Sequence, residues 1–78
     1  MSNILVDIEK MINLIRDIIN LPIVDRILIN TAKPSMVIFL KRIEAPTDHV
    51  FKESIIRAIK YYGFSFISFE RKIVVELW

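Results

Sequence analysis

Aromatic residues near the end of the chain are spaced in a way that could support base stacking. Phe64, Phe66 and Phe69 follow Gly63 within one apolar stretch, YGFSFISF over residues 62–69. Alternate residues of a strand point to the same face, so Phe64 and Phe66 would be displayed together. Rings displayed on a sheet can stack on nucleic-acid bases. This spacing makes nucleic-acid binding one candidate function.

The same stretch resembles the octamer that carries the stacking aromatics of RNA-recognition motifs, in which a basic residue and Gly precede alternating aromatic positions. That resemblance implies a stacking role for Phe64 and Phe66. It covers eight of 78 residues, and Tyr62 stands where Lys or Arg belongs. The octamer also follows a predicted helix here, whereas in the motif it follows a strand and a loop.

The strand that comes next favours a core position for these phenylalanines. An even-numbered turn around Arg71 and Lys72 would divide the hairpin into two sets of side chains. One set is Phe64, Phe66, Ile73, Val75 and Leu77, and the other is Ile67, Phe69, Lys72, Val74, Glu76 and Trp78. The first set is entirely apolar, whereas burying the second would place Glu76 in the core without a partner, at a cost of several kcal/mol. We therefore predict that Phe64 and Phe66 are buried.

Basic residues that could contact phosphates are few. The candidates are Lys33, Lys41, Arg42, Arg71 and Lys72, and the formal net charge is +2. A balance this mild does not require a polyanionic partner. Combined with Phe69 and Trp78, or with Phe64 and Phe66, these cations define the alternative function, a nucleic-acid-binding domain whose binding is weak and salt dependent.

Residue types that usually carry catalysis or hold metals are scarce. The chain has no Cys, and His49 is its one histidine. Disulfides and Cys-type zinc sites are thereby excluded. Gly63 alone cannot form a phosphate-binding loop, the serines lack a nucleophile context, and no carboxylates recur at a ligand-like spacing. We expect a protein that is not an enzyme and that needs no metal or cofactor.

Hydrophobic periodicity predicts the order α-β-β-α-β-β in a single domain, residues 1–78. A helix over residues 3–20 has one apolar arc, from which Val6 and Leu14 are excluded. A second helix is capped by Thr47 or Asp48 and runs to Tyr62, where Gly63 ends it. The strands are predicted over residues 23–30, 36–43, 64–69 and 73–77. A strand over residues 3–8 is the disfavoured alternative, because no loop separates these residues from the helix.

These elements predict an α+β fold, a two-layer structure in which both helices cover one face of a four-stranded antiparallel sheet. An offset of 40 residues aligns the buried faces of the two helices, so the halves could be an αββ duplication. A helix on each face of the sheet is the structural alternative, and it would need no partner.

Apolar residues remain for the helix-free face. Ile67, Phe69, Val74 and Trp78 would lie there, in a chain that is 54% hydrophobic with sixteen Ile. An exposed patch of several hundred Å² is more than a monomer normally presents. We therefore predict a small non-enzymatic protein-interaction module, a homodimer or an accessory subunit of a larger intracellular complex, with these four residues as contacts.

The location and source of the chain are also suggested by its composition. No signal peptide is evident, and no apolar run reaches the about 20 residues that a membrane span needs. We expect a cytoplasmic protein. Many Ile, no Gln and mixed charges are typical of thermophile proteins.

Overall fold

The computed structural model describes residues 4–30, 32 and 35–76, with side chains from residue 7 onward. Two helices and four strands follow one another in the predicted order. They are α1 (Ile4–Ile18), β1 (Val24–Asn30), β2 (Ser35–Leu40), α2 (Thr47–Tyr61), β3 (Ser65–Ser68) and β4 (Lys72–Glu76). The predicted α+β fold with a four-stranded antiparallel sheet is confirmed.

The strands form one sheet in the order β1-β2-β4-β3, and every neighbouring pair is antiparallel. The two hairpins therefore meet along β2 and β4, which are the central strands. Sequence patterns define each hairpin but not which strand of one meets which strand of the other. The order of strands is thus information that only the tertiary structure supplies.

The buried face of α1 differs from the predicted one. Leu14, assigned to the polar side, is fully buried together with Ile18, and Met11 is almost so. Ile12 and Ile19, assigned to the apolar arc, are 44% and 52% exposed. The predicted arc reflects apolar content alone, and α1 contains more isoleucine side chains than one packing face can bury. The helix is rotated so that Leu14 lies at the centre of its contact.

The ends of α2 show one correct and one wrong prediction. Gly63 ends the helix with φ of 79°, a conformation that glycine adopts without steric cost. Its amide donates to the Lys60 carbonyl at 3.0 Å, and the Phe64 amide donates to the Ile59 carbonyl at 3.2 Å. These two bonds form a Schellman motif and place Phe64 in the core.

At the other end, Thr47 and Asp48 do not cap α2. Pro46 occupies the N-cap position and makes no side-chain cap bond. The Asp48 carboxylate instead accepts a hydrogen bond from Arg71 at 3.0 Å. The Asp48 oxygen that could accept a capping hydrogen bond from a nearby backbone amide instead accepts one from Arg71, a charged residue distant in the sequence.

A bulge in β1 sets which of its residues face inward. Val24 pairs with Leu40, but Arg26 pairs with the adjacent Phe39, so Asp25 is an extra residue. Without the bulge Val24 and Arg26 would share a face. With it, Val24 is 8% exposed in the core, and Arg26 lies on the other side of the sheet.

Buried residues of the sheet lie on one face, here termed the core face. In the central strands these are Met36, Ile38, Leu40, Ile73 and Val75. They form one cluster with buried residues of both helices: Met11, Leu14, Ile18, Ile55 and Ile59. Ile56, expected outside the apolar arc of α2, is half-buried against this cluster. That both helices cover the same face, and that the halves are a duplication, remain predictions.

The helices are short compared with a bilayer. Both α1 and α2 have 15 residues, and a span needs about 20. Within the described ranges, no helix is long and apolar enough to cross a membrane.

Candidate interaction surface

The face of the sheet that points away from the core cluster, here termed the open face, carries its side chains in three parallel rows. Each row crosses all four strands, because residues paired across antiparallel strands lie on the same face. The middle row, the aliphatic row, contains Leu28, Val37, Val74 and Ile67, which are consecutive partners in the registers of β1, β2, β4 and β3. Four aliphatic side chains thus form one continuous band.

Solvent reaches this band, most of all at its ends. Leu28 is 52% exposed and Ile67 is 57% exposed. Val37 and Val74, between them, are half-buried by their neighbours. By contrast, the next residues along the central strands, Ile38 and Ile73, are fully buried. The band is therefore apolar surface without cover among the described residues.

A cation–aromatic row lies on one side of the band. It contains Arg26, Phe39, Lys72 and Phe69, which are again successive neighbours across the sheet. The Arg26 guanidinium lies 4.6 Å from the centre of the Phe39 ring, and the Lys72 ammonium lies 5.0 Å from that of Phe69. Each ring attracts its cation through the negative charge of its π face. The row holds two positive charges at fixed places.

A polar row lies on the other side of the band. It contains Asn30, Ser35, Glu76 and Ser65. Glu76 is its one charged member, and Asn30 accepts a hydrogen bond from the Ala32 amide at 3.1 Å. Among the described residues, the one ion pair within 4.0 Å joins Arg71 and Asp48, so Glu76 is not neutralised by a cation of its own face. The open face is therefore positive along one border and negative along the other.

Three of the four predicted contact residues are brought together here. Ile67 and Val74 are direct partners between β3 and β4. Phe69 lies on the same face, 46% exposed. Trp78, the fourth, lies outside the described residues. That these side chains contact a partner stays a prediction.

Two of the three phenylalanines of the octamer, Phe64 and Phe66, lie on the core face, and Phe69 lies on the open face. Phe64 is 8% exposed, and Phe66 is half-buried against the core cluster. Phe66 pairs with Val75, which is fully buried, and Ile67 pairs with Val74. This is the register expected from an even-numbered turn. Phe64 and Phe66 are therefore not available as a stacking platform in this fold.

Four of the five predicted basic contacts lie at one end of the sheet. Lys72 belongs to the open face, while Lys41 and Arg42 are exposed just after β2, at the same end of the sheet. Lys33 lies outside the described residues. The turn also differs from expectation, because Phe69 and Lys72 close it through a 2.8 Å backbone bond. Glu70 and Arg71 are therefore its tip, and Lys72 is already in the strand.

Arg71 connects the turn to two other parts of the fold. Its Nη1 donates to Asp48 Oδ1 at 3.0 Å and to the Lys41 carbonyl at 3.2 Å. The hydrogen bond from Arg71 lowers the pKa of Asp48 below 3.8. Within the described part of the chain, the Arg71 Nε is buried without a hydrogen-bond partner, which offsets part of the gain. Arg71, a predicted phosphate contact, is therefore bonded to α2 and to the segment that follows β2.

Sequence reasoning missed half of the surface. Arg26, Leu28, Val37 and Phe39 come from the first hairpin, whose register could not be read from its five-residue loop. Because of the bulge at Asp25, Arg26 lies on the face of the sheet opposite to that of Val24. The available signal was the uninterrupted apolar run from Met36 to Leu40, which indicates a strand with apolar residues on both faces.

A second surface feature is an open groove of about 320 Å³ between the helices, lined by Asp17, Ser54, Arg57, Ala58 and Tyr61. Next to it, the Tyr62 hydroxyl donates to Asp17 Oδ2 at 2.7 Å and joins α2 to α1. That bond raises the pKa of Tyr62 above 10.0. One of its lining side chains, Asp17, takes part in that bond between the helices, and the Ser54 hydroxyl donates to the Val50 carbonyl at 3.0 Å rather than to a base.

No group of three His, Cys, Asp or Glu in the described ranges could hold a metal ion. Comparison of the chain with protein-family models, with curated proteins and with solved structures found no match. The open face is therefore the feature on which a functional proposal can be built.

Proposed function

We propose that the chain is a small non-enzymatic protein-interaction module that binds through its open face, either to a second copy or as an accessory subunit of a larger intracellular complex. The observation that carries this proposal is the aliphatic row. Its four members cross the whole sheet without a polar interruption. A band of this kind is typical of an interface rather than of a surface that stays in water.

Burial of the row supplies the driving force. Each Å² of apolar surface removed from water contributes about 25 cal/mol before the costs of association. Leu28 and Ile67 retain more than half of their exposure, so most of their side chains are still available for burial. The charged and polar rows on either side would form the rim, which gives orientation more than affinity.

The test uses two aliphatic side chains of equal exposure. Ile67 on the open face and Val50 on α2 are both 57% exposed. We expect the wild-type protein to associate as its concentration rises in sedimentation experiments. Ile67→Asp should abolish that association, whereas Val50→Asp should leave it unchanged. Circular dichroism of both variants checks that the helices are retained.

Two results would contradict the proposal. A wild-type protein that remains a monomer at the highest attainable concentration would remove the case for self-association. Equal effects of Ile67→Asp and Val50→Asp would show that association does not depend on the open face. In the first case binding to a different protein would be the remaining form of the proposal, and in the second case another surface would carry the association.

Nucleic-acid binding is the second candidate, and the cation–aromatic row supports it. Arg26, Phe39, Lys72 and Phe69 combine rings with positive charge, and Lys41 and Arg42 lie at the same end of the sheet. The rings are already contacted by their own cations, so a base would have to displace them or stack on the guanidinium. We expect any such binding to be weak and indifferent to sequence.

Titration with a fluorescent single-stranded oligonucleotide at two salt concentrations tests this second candidate. Contacts from a few Lys and Arg should weaken steeply as salt rises. Lys72→Glu should reduce binding and Lys10→Glu, on α1, should not. Tight binding that persists at high salt would show that the aromatic side chains make the main contribution.

A further inference from the structure

The open face matches a copy of itself, because its three rows are arranged symmetrically about the aliphatic row. Positive charge lies on one side, with Arg26 and Lys72. Negative charge lies on the other, with Glu76, which is four residues from Lys72 in the same strand. Val74 lies midway between them in β4. A two-fold axis along the aliphatic row would therefore bring Lys72 of each copy opposite Glu76 of the other, and Arg26 opposite the uncharged Asn30.

We propose that two copies pack open face to open face, related by a two-fold axis that runs along the aliphatic row, perpendicular to the strands. This inference rests on the proposed function and specifies its partner. Under this axis β4 crosses over β4 of the second copy, running in the opposite direction. Val74 then meets Val74, and Lys72 of each copy lies opposite Glu76 of the other. Two identical ion pairs flank the centre of the interface.

Packing geometry allows these ion pairs to form. Facing sheets lie about 10 Å apart and are rotated by about 30°. Lys72 and Glu76 are each about 7 Å from Val74 along the strand, so the rotation displaces them by about 3–4 Å. The long side chains of Lys and Glu can compensate for that displacement. Neither charge has a salt-bridge partner among the described residues of its own chain, and Lys72 would exchange its contact with the Phe69 ring, 5.0 Å away, for the ion pair.

The other two-fold axis in the interface plane, parallel to the strands, is electrostatically worse. It would bring the row of Arg26 and Lys72 opposite itself and collect four cations at one end. The two Glu76 carboxylates would lie at the other end, each opposite Ser35 of the other copy and with no cation facing it. Like charges placed together in an interface oppose association. Charge therefore selects the axis along the aliphatic row.

The area of the surface sets the expected strength. Four strands about 4.8 Å apart and three rows about 6.7 Å apart give a patch of roughly 14 by 13 Å between its outermost Cα atoms. That is small compared with a standard interface, in which each partner buries about 800 Å². The dimer should therefore exchange with monomer as the concentration changes, and effects on its dissociation constant can be measured directly.

Charge reversal tests the pairing. Lys72→Glu and Glu76→Lys should each raise the dissociation constant at least tenfold, because each variant places like charges together twice. An equimolar mixture of the two variants should form a heterodimer within about threefold of wild-type affinity, since both ion pairs are then restored, one of them with its charges exchanged. Lys10→Glu, with the same charge change on α1, should have no effect. Circular dichroism confirms the fold of each variant.

Cross-linking gives a second measurement that does not depend on charge. The chain lacks cysteine, so a short bismaleimide reports on introduced thiols alone. Under the proposed axis, Leu28 lies opposite Leu28 of the second copy. Under the alternative axis, parallel to the strands, it lies opposite Ile67 of the second copy. Leu28→Cys alone should cross-link into a dimer, and a mixture of Leu28→Cys with Ile67→Cys should give no mixed product.

Failure of this inference differs from failure of the proposed function. If Lys72→Glu dimerises as well as wild type, and the mixed Leu28→Cys and Ile67→Cys product forms, the axis is wrong but the open face remains the interface. If wild type dimerises, Ile67→Asp prevents it, and no mixture restores affinity, the copies pack in another arrangement. If wild type stays monomeric in all assays, this inference is wrong, and the proposed function keeps only its accessory-subunit form.

Discussion

The two faces of the sheet are built from the same strands, but the side chains of one face are more deeply buried than those of the other. In β2, Ile38 is fully buried on the core face, while its neighbour Val37 lies half-buried on the open face. In β4, Ile73 and Val74 repeat that difference. Both faces carry aliphatic residues at these positions, but the open face of the same two strands also carries Ser35, Lys72 and Glu76. The core face packs in one cluster with buried residues of both helices, whereas Leu28 and Ile67 of the open face stay more than half exposed.

The largest expected effect compares adjacent residues of β2. Ile38→Ala should lower the free energy of unfolding by about 2–5 kcal/mol, since it opens a cavity among fully buried side chains. Val37→Ala, on the open face, should lower it by about 1 kcal/mol or less. Urea denaturation at a concentration where the protein is monomeric measures both. Equal losses would mean that the open face is covered within the monomer.

The next comparison is between Phe66 and Ile67 in β3. Phe66 is half-buried against the core cluster, so Phe66→Ala should cost about 1.5–3 kcal/mol, less than a fully buried Phe would. Ile67→Ala should cost below about 1 kcal/mol. Urea unfolding again provides the measurement. A loss below about 1 kcal/mol for Phe66→Ala, together with weakened oligonucleotide binding, would restore the stacking interpretation.

The adjacent cations Arg71 and Lys72 provide a further comparison between a residue bonded within the fold and a residue on the open face. Arg71 bonds to Asp48 and to the Lys41 carbonyl, whereas Lys72 lies on the open face over Phe69. Arg71→Met should lower the urea midpoint of the monomer, by less than Phe66→Ala does, and Lys72→Met should change it little. Dimerisation should respond in the opposite order. If Lys72→Met destabilises the monomer more, the open-face charge has a structural role.

The smallest expected effect is on pH dependence. Arg71 holds the pKa of Asp48 below its usual 3.8. A carboxyl whose pKa is lower in the folded state contributes stability above the unfolded pKa, and that contribution disappears as the pH falls through the folded pKa. Wild type should therefore be more stable than Asp48→Asn at neutral pH, and the difference should shrink below about pH 4.

Paired urea titrations of the two proteins at neutral and acid pH make this measurement, because the remaining carboxyls titrate alike in both. The same difference at both values would show that the Arg71 contact does not depend on the charge of Asp48.

The sequence by itself determined the elements of this fold and part of its surface. Apolar periodicity, Pro22 and Gly63 marked where the helices end, because these signals act within a few residues. An even-numbered turn in the second hairpin was enough to place Phe66 inward and Ile67 outward, since side chains alternate along a strand. Three residues of the open face, Ile67, Phe69 and Val74, followed from that local rule.

Only the tertiary structure decided the rest, because it depends on contacts between distant segments. Pairing of β2 with β4 joins the halves of the aliphatic row, and no local pattern specifies it. The extra residue at Asp25 turns Arg26 towards Phe39, which changes the charge of one border. Leu14 enters the core because the helix rotates to fit the sheet. Pro46 occupies the N-cap position of α2, and Asp48, two residues further on, pairs with Arg71 across the fold. Local preferences are worth about 1 kcal/mol each, and packing and charge pairing across the fold can override them.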